Sequence, residues 1–454
     1  MNRYAPTPQR VFLCIALFFG GLLVFVYPPV QAPDENVHFY RAYQIAEGKW
    51  ISDRRGDLVG GDMPVSLFKT IQPFERLYTR ADRKTSFEEI YSFLKLPLNP
   101  EEKLPIAFRN TAIFSPVPYL PQAAGIWLGK AHYLPPLALL YLGRLAALGT
   151  WIFLMYGAIR AIPVFKWPLL ALALTPMSLS EAASLAADGF TNGVSFLFIA
   201  VCLAFGLGPG KKLDLRHGIL LLALAALVTL SKQIYILLLG LLLLIPESSF
   251  GSKKRRLTFL AVALGGCLVL GGLWGSVVKR LYFPFFEGIS PEQQFAYLLQ
   301  HPFRFPVVVW NTLRDSGLPF MEEFVGKFGW LDTSLPIPVW AGYWAVLVAL
   351  ALFGGDPEKG MASRTRLIIG GTFLAGFLAV CFALYLHWSF VGAEGIGGIQ
   401  GRYFIPFSPL LFLVVYNRRL AGALPAAGPA VLATVAASTA LASAAAAMLD
   451  RYYP

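Results

Sequence analysis

The sequence predicts an all-α membrane protein whose helices cross the bilayer many times. Hydrophobic residues make up 56% of the 454 residues and charged residues only 14%, whereas about a quarter of the residues in an ordinary soluble protein are charged. Apolar runs of membrane-spanning length recur along the whole chain, and such runs are typical of transmembrane helices. Composition and run length together exclude a soluble globular fold.

Eleven apolar runs are expected to cross the membrane. The first should remain uncleaved, because Pro33 directly follows residues 30–32, which only faintly resemble a signal-peptide cleavage site. The eleven runs cover residues 11–27, 136–159, 167–183, 189–206, 217–231, 233–247, 257–278, 339–354, 366–386, 403–416 and 427–448.

The positions of Lys and Arg orient these runs, because cytoplasmic loops of membrane proteins carry an excess of positive charge. With the N-terminus in the cytoplasm, every second connection is basic. The excess of Lys and Arg in these cytoplasmic connections explains the net charge of +12, so we expect no nucleic-acid partner. The basic residues on the cytoplasmic side are Arg3, Arg10, Arg160, Lys166, Lys211, Lys212, Arg216, Lys253, Lys254, Arg255, Arg256, Lys359, Arg364, Arg366, Arg418 and Arg419.

Two long polar segments, residues 28–135 and 279–338, then fall on the outer side. The first is too polar to cross the membrane and too long to be a simple connection. Within it, the short apolar stretch 117–129 predicts a helix at the membrane interface. The second segment contains a helix-start signal at Ser290. We expect both segments to belong to one membrane domain that covers residues 1–454.

The stretch that follows the first apolar run is the first place to look for chemistry. Asp34 and Glu35 are adjacent there, and carboxylates at a membrane are costly to place. The stretch also predicts a helix, with Asp34 as its N-cap and Gly48 as its stop. His38 and Arg41 share a helix face with Asp34, and Glu35 lies about a quarter-turn away. The alternative is a capped amphipathic helix that lies on the membrane.

Four further polar residues fall on the same outer side. Asp188 lies between the third and fourth runs, Lys232 lies between the fifth and sixth, and Arg402 and Tyr403 lie at the start of the tenth. Asp188 could instead cap a helix, and Lys232 or Arg402 could extend its charged end to the interface. The orientation was derived only from the Lys and Arg residues of the loops. The positions of Asp188, Lys232, Arg402 and Tyr403 were not used for it, so their occurrence on one side is independent support for a site there.

The set has a chemical logic. A carboxylate near the membrane surface can act as a general base on a hydroxyl group, and a second can orient that hydroxyl or hold a divalent cation. Lys and Arg can stabilise a departing phosphate. The metal requirement stays open. No phosphate-binding Gly-rich loop or dinucleotide fingerprint is present, and the four cysteines lie in apolar runs, where they indicate neither disulfides nor a metal cluster.

Several motifs occur in this sequence in the order in which they occur in a known family. Over about residues 11–420 the chain resembles the bacterial membrane proteins filed as domain of unknown function 2142. That family in turn is similar to the GT-C glycosyltransferases, which use polyprenyl-phosphate-linked sugars. The motifs are Pro33-Asp34-Glu35 with His38 and Arg41, Ser115-Pro116-Val117-Pro118-Tyr119, Asp188-Gly189, residues 326–336, and Gly401-Arg402-Tyr403-Phe404-Ile405-Pro406.

This resemblance implies a GT-C-like fold and an inverting glycosyltransferase in a bacterial cytoplasmic (inner) membrane, with its site facing the periplasm. Asp34 would be the catalytic base, with Glu35 beside it. The implied partners are a lipid-linked sugar donor and a glycan or glycolipid acceptor of the cell envelope, and a divalent cation is a possible cofactor. The expected substrate-binding residues are His38, Arg41, Asp188, Lys232, Arg402 and Tyr403.

Three alternatives remain at this point. A transporter or flippase of a lipid-linked saccharide would need polar groups across the membrane thickness and often has broken helices. The short runs 217–231 and 233–247, with Lys232 between them, are the feature that favours it. A polymerase or ligase of lipid-linked oligosaccharides would share the site and differ in donor size. A non-catalytic scaffold would tolerate loss of both Asp34 and Glu35.

Overall fold

The computed structural model describes residues 7–208, 210–284, 286–355 and 360–454. Most of these residues are helical, and two basic residues used for orientation, Arg3 and Lys359, lie outside them. The helices are α1 (Pro8–Val26), α2 (Glu35–Ala46), α3 (Val65–Ile71), α4 (Phe87–Ser92), α5 (Arg109–Ala112), α6 (Leu120–Ala131), α7 (Pro136–Ala161), α8 (Lys166–Ala173), α9 (Pro176–Ala182), α10 (Ala187–Gly206), α11 (Leu215–Ser231), α12 (Glu247–Phe250), α13 (Lys253–Leu281), α14 (Pro291–Gln300), α15 (Arg304–Gly326), α16 (Ile337–Phe353), α17 (Ser363–His387), α18 (Ser408–Val415) and α19 (Gly428–Tyr452).

The prediction of a mostly helical membrane protein is confirmed, but the segment after α1 also contains a small antiparallel sheet that was not predicted. A two-residue connection, Gly56 and Asp57, joins its first two strands, and the φ of +62° at Gly56 suits such a tight hairpin. At Gly60 the second and third strands approach so closely that a Cβ would lie 2.0 Å from the Ile106 carbonyl oxygen. The strands are β1 (Asp53–Arg55), β2 (Leu58–Pro64) and β3 (Lys103–Ala107), and β4 (Lys327–Phe328) pairs separately with β5 (Thr333–Ser334).

Six helices among the described residues are long and apolar enough to cross a membrane, namely α1, α7, α10, α13, α17 and α19. The other five predicted runs are shorter or interrupted. Run 167–183 divides into α8 and α9, because Pro176 has no N–H to continue the helix and Thr175 caps the next one, accepting from the Ser178 N–H at 3.3 Å. Run 403–416 begins as a 3-10 helix, Gly401–Phe407, before α18.

Within run 233–247, residues Gln233–Leu244 form a 3-10 helix of 12 residues, which is long for this helix type. A 3-10 helix rises about 2.0 Å per residue, so this segment extends about 24 Å, compared with about 18 Å for an α-helix of the same length. It packs on α10, α11 and α17. At Gly240 a Cβ would lie 2.8 Å from Thr372 Oγ1, so close contact with α17 requires glycine there.

Four of the basic connections that were expected in the cytoplasm lie together at one end of the molecule. The Leu213 N–H donates to the Ser249 carbonyl at 2.8 Å, which joins the connections before α11 and α13. Arg366 at the start of α17 donates to the Tyr416 carbonyl at the end of α18, also at 2.8 Å. One cavity, lined by residues that include Arg256 and Arg364, lies between these two groups of connections.

The segment between α1 and α7 lies at the opposite end and is fastened there by the end of α19. Arg451 donates to the Leu77 carbonyl and to the Asp332 carboxylate, both at 2.7 Å. The Thr85 N–H donates to the Tyr452 carbonyl at 2.8 Å. One hydrophobic cluster of buried residues reaches from α1 to the C-terminal end of α19. The outer segments therefore close directly onto the helical body.

Candidate functional site

Asp34 lies between α1 and α2 and has an unusual backbone conformation. Its φ of +59° is in the left-handed region, which residues other than glycine rarely adopt and which is common at functional sites. Asp34 occupies the N-cap position of α2 as predicted, and its carbonyl accepts from the His38 N–H at 3.0 Å, but its carboxylate makes no hydrogen bond to the start of the helix. The side chain of Asn110 hydrogen-bonds to this carboxylate instead. Asp34 is partly open and forms no ion pair with any described residue.

Burial raises the pKa of the Asp34 carboxyl above its ordinary value, and neighbouring charges adjust it. The cation of Arg402 lowers this pKa, the carboxylate of Asp188 raises it, and Asn110 and Lys232 lower it further. These influences show that Asp34 lies within electrostatic range of residues from distant parts of the chain. A carboxyl with a raised pKa is suited to proton transfer closer to neutral pH.

Asp188 and Lys232 form an ion pair at the edge of the same site. Asp188 belongs to the first turn of α10, and Lys232 is the extended residue between α11 and the long 3-10 helix. The Lys232 ammonium also lies 5.5 Å from the ring centroid of Phe114 and 5.4 Å from that of Tyr403. Both distances allow cation–π attraction. The ammonium is therefore held by a carboxylate and two rings while its side chain keeps 18% exposure.

Arg402 is positioned by a close backbone approach at Gly401. A Cβ on Gly401 would lie 2.0 Å from the Phe320 carbonyl oxygen, and the Gly401 N–H donates to Glu323 at 2.8 Å. Arg402 Nε donates to Gln400 Oε1 at 2.7 Å. The terminal guanidinium nitrogens make no hydrogen bond to any described residue, although a guanidinium has five N–H donors. This buried cation can therefore donate to an anion that enters the site.

Glu181 in α9 faces Arg402 with an incompletely paired carboxylate. Its Oε1 lies 4.0 Å from Arg402 Nη1, too far for a hydrogen bond, and has no hydrogen-bond partner among the described residues. Its Oε2 accepts from Asn192 Nδ2 at 2.8 Å. No role of Glu181 was predicted from the sequence. The available signal was an acidic residue inside an apolar run, which is uncommon without a function.

Tyr403 links the two cations of the site. Its ring centroid lies 5.5 Å from the Arg402 guanidinium carbon and 5.4 Å from Lys232 Nζ. Its backbone carbonyl accepts a hydrogen bond from the Tyr235 hydroxyl at 3.1 Å. The negative face of one aromatic ring thus attracts two cations, and the two cations lie near each other at the site.

His38 lies near the charged residues of the site, whereas Arg41 does not. His38 Nδ1 lies 2.8 Å from the Tyr119 hydroxyl, and burial lowers the pKa of His38 to about 3, so its ring is neutral at physiological pH. Arg41 points into the outer segment, where its Nη2 donates to the carbonyls of Trp50 at 2.8 Å and Phe114 at 3.2 Å. Arg41 therefore fixes the backbone of Phe114, whose ring contacts Lys232.

Glu35 is enclosed in a separate ion pair, although it directly follows Asp34. Arg144 in the middle of α7 donates from Nε to Glu35 Oε1 at 2.8 Å, and both side chains are fully buried. The Leu185 N–H donates to the same oxygen at 3.1 Å. Arg144 also donates to the carbonyls of Val24 and Tyr27 at the end of α1. In this geometry Glu35 fastens three parts of the chain together and does not face the partly open site.

The carboxylates of this site do not form a ready metal centre. No group of three or more His, Cys, Asp or Glu side chains with metal-binding geometry occurs among the described residues. Asp188 is occupied by Lys232, and Glu181 is engaged by Asn192. We therefore derive no chemical step that requires a divalent cation.

A mostly helical chain with six apolar helices of membrane-spanning length, and a partly open cluster of charges at one end, defines a polytopic membrane protein with a candidate ligand site. The chain belongs to the family described as Predicted membrane protein (DUF2142), whose model matches residues 17–411. The family resemblance noted from the sequence motifs is thereby confirmed. No curated protein and no solved structure matches the chain.

Proposed function

We propose that this protein is a membrane glycosyltransferase that moves a sugar from a polyprenyl-phosphate carrier to an acceptor of the cell envelope. The observation that carries the proposal is one unpaired and partly open carboxylate, Asp34, within electrostatic range of two cations, Lys232 and Arg402. A general base beside a phosphate-binding pair is the minimum that sugar transfer from a lipid phosphate requires.

Asp34 acts as the base in this proposal. It takes the proton from an acceptor hydroxyl, and the acceptor oxygen forms a bond with the anomeric carbon of the donor sugar. The bond between that carbon and the phosphate oxygen breaks at the same time, and its electron pair leaves with the polyprenyl phosphate. Attack opposite the leaving group inverts the anomeric configuration. The raised pKa of Asp34 favours this role.

Lys232 and Arg402 stabilise the charge that develops on the departing phosphate. The terminal nitrogens of Arg402 make no hydrogen bond to a described residue, and the guanidinium fork matches the geometry of phosphate oxygens. Asp188 and Glu181 lie beside these two cations. They limit the repulsion between the cations before the donor binds, so that the donor phosphate completes an arrangement that is already assembled.

The proposed topology has eleven crossings, a cytoplasmic N-terminus and a site that opens to the periplasmic side of a bacterial inner membrane. The meeting of the basic connections at the other end of the molecule supports this orientation. The segment 28–135 then offers its surface to the acceptor. A lipid-linked donor fits this arrangement, because nucleotide sugars are made in the cytoplasm.

A transporter or flippase of lipid-linked saccharides is the second candidate, and one observation favours it. Helical segments are interrupted near the charged cluster at Thr175, at Lys232 and at Phe407, where 3-10 helix changes to α-helix. Discontinuous helices beside a binding site are typical of transporters. Unlike a transferase, a transporter would move its substrate without breaking the sugar–phosphate bond.

The test is sugar transfer in proteoliposomes that contain the purified protein. Polyprenyl-phosphate monosaccharides labelled in the sugar serve as donors, and a glycolipid extract of bacterial envelopes supplies acceptors. The wild type is compared with Asp34→Asn and with Asp62→Asn, a control in the same outer segment whose carboxylate pairs with exposed Arg55. We expect label transfer by the wild type and the control, and its loss in Asp34→Asn.

Two results would contradict the transferase proposal. Full transfer by a folded Asp34→Asn protein would remove Asp34 as the base. Movement of intact donor across the bilayer, without cleavage and unchanged by Asp34→Asn, would favour the transporter.

A further inference from the structure

A cavity of about 320 Å³ lies at the end of the molecule where the basic connections meet, away from the site formed by Asp34, Lys232 and Arg402. Its lining includes Leu243 and Leu244 at the end of the long 3-10 helix, Arg256 in the first turns of α13, and Arg364 and Thr365 at the start of α17. Ligand pockets in proteins start at about 300 Å³. The cavity is therefore large enough for the polar headgroup of a lipid.

Positive charge outnumbers negative charge in the described lining of this cavity, where Arg256 and Arg364 face one carboxylate, that of Glu247. The first turns of α13 and α17 contain basic residues and no acidic residue, although the positive end of a helix dipole disfavours cations there. Arg256 Nη2 donates to the Leu243 carbonyl at 3.2 Å, while its buried Nε has no hydrogen-bond partner among the described residues. Preference for positive charge on the cytoplasmic side explains basic loops, but it does not explain two arginines directed to one cavity.

The surroundings of the cavity are apolar, which indicates the class of ligand. Leu243 in its lining is 47% exposed, and Leu257 and Leu367, one residue from Arg256 and Ile368, are 55% and 76% exposed. Exposed leucines of this kind face lipid in a membrane protein. A soluble anion would use the arginines alone, whereas a phospholipid would use both the arginines and the apolar rim.

We propose that this cavity binds the phosphate headgroup of an anionic glycerophospholipid from the leaflet at the basic end. Arg256 and Arg364 contact the phosphate, the Thr365 hydroxyl donates to it, and the acyl chains lie against the exposed leucines. The carboxylate of Glu247 at the rim repels the bound phosphate and so limits the affinity of the site. This site is separate from the proposed transfer site and does not depend on that proposal.

Native mass spectrometry of the full chain in a neutral detergent tests the inference. Phosphatidylglycerol is titrated against the wild type, Arg256→Gln/Arg364→Gln and Lys253→Gln/Lys254→Gln, which removes the same charge from the same end without touching the cavity lining. We expect the arginine variant to bind about tenfold more weakly or worse, since each bond to a charged group contributes substantially. The lysine variant should stay within about twofold of wild type, because its lysines do not contact the proposed headgroup.

Three outcomes would overturn the proposal. The first is equal weakening in both double variants, which indicates general surface attraction. The second is equal affinity for phosphatidylcholine with the same acyl chains, which removes anion recognition. The third is displacement of the lipid by glycerol 3-phosphate at similar concentration, which indicates a soluble ligand. If the arginine variant does not fold, Glu247→Gln decides, because it must bind phosphatidylglycerol more tightly than the wild type, and unchanged or weaker binding also overturns the proposal.

Discussion

Two groups of buried charges lie side by side in this protein and differ in how completely they are paired. In the first, Arg144 directs its donors to Glu35 and to three backbone carbonyls, and neither charged side chain has any exposed surface. In the second, Glu181 keeps an oxygen without a hydrogen bond to a described residue, and Arg402 uses only its Nε. The first group is complete without a ligand, whereas the second is not.

This difference separates structural from functional charge. A buried ion pair with every lone pair and proton satisfied holds the fold in one arrangement. Buried groups that remain unsatisfied are rare and call for a ligand or a chemical role. Asp34 and Glu35 are adjacent, yet they belong to different groups, because the left-handed backbone at Asp34 turns its side chain toward Asn110. The ion pair of Glu35 fixes the turn that places Asp34.

The largest expected effect is loss of transfer in Asp34→Asn. Removal of a general base lowers the rate by about 100- to 10,000-fold, while the unpaired carboxylate contributes little to stability. The measurement is the initial rate of sugar transfer, together with the monodispersity of the purified variant. A wild-type rate in folded Asp34→Asn would contradict the assignment of Asp34 as the general base.

The pH dependence of the same reaction sharpens this comparison. Because the pKa of Asp34 is raised, the wild-type rate should fall as the pH falls through a range above the ordinary value for aspartate, where the base becomes protonated. The residual rate of Asp34→Asn should lack this limb. A limb that persists in Asp34→Asn would assign the titration to another group.

The second effect concerns the complete group. Arg144→Met leaves the Glu35 carboxylate buried without its partner, and such a loss destabilises a protein by about 3–5 kcal/mol. Equilibrium unfolding in mixed micelles measures the change. The matched control is Arg55→Met, which breaks an exposed ion pair with Asp62 and should change stability by less than about 1 kcal/mol. If the two variants had the same free energy of unfolding, the ion pair of Arg144 and Glu35 would not stabilise the fold as expected.

A third and smaller effect is expected for Arg402→Lys. Lysine keeps the charge but loses the planar fork, so phosphate binding should weaken by about tenfold. The readout is a lower kcat/KM for the lipid-linked donor, with the fold unchanged, because Arg402 contacts the phosphate as it departs. Arg314→Lys, at an exposed arginine paired with Asp315, is the control and should leave kcat/KM unchanged. An unchanged kcat/KM in Arg402→Lys would mean that the guanidinium fork does not contact the phosphate.

Much of this arrangement could be predicted from the sequence, and the reasons for the rest are physical. The count of Lys and Arg placed Asp188, Lys232 and Arg402 on one side of the membrane, and the structure brings them together. Asn110 was missed as a member of the group, because only the packing of distant segments makes it a neighbour of Asp34. Glu181 was also missed, although an acidic residue inside an apolar run was a signal in the sequence.

Some local predictions were wrong because the same sequence pattern is compatible with two conformations. Residues 233–244 are almost uniformly apolar, so no period distinguishes a 3-10 helix from an α-helix. Aspartate before a helix usually caps it, and nothing in the local sequence shows that Asp34 hydrogen-bonds to Asn110 instead. The hairpin at Gly56 was not predicted because β1 has only three residues and the seven residues of β2 do not alternate between buried and exposed.

A further expected effect is a pH-dependent difference in stability between the wild type and His38→Gln. Burial lowers the pKa of His38 to about 3, so between about pH 6.5 and that value the unfolded chain binds a proton that the folded protein does not. Folding stability therefore falls as the pH falls, by about 1.4 kcal/mol per pH unit from this one group. Unfolding midpoints between pH 7 and pH 5 should fall more steeply in the wild type than in His38→Gln.

Asp34 contributes with the opposite sign, which makes a paired measurement decisive. Its folded pKa is raised, so in the range just above the ordinary aspartate pKa the folded protein binds the proton and stability falls as the pH rises. His38→Gln should therefore flatten the acid-side loss of stability, and Asp34→Asn should steepen it. Both variants could instead change the dependence of stability on pH in the same direction. That result would contradict the assignment of a raised pKa to Asp34 and a lowered pKa to His38.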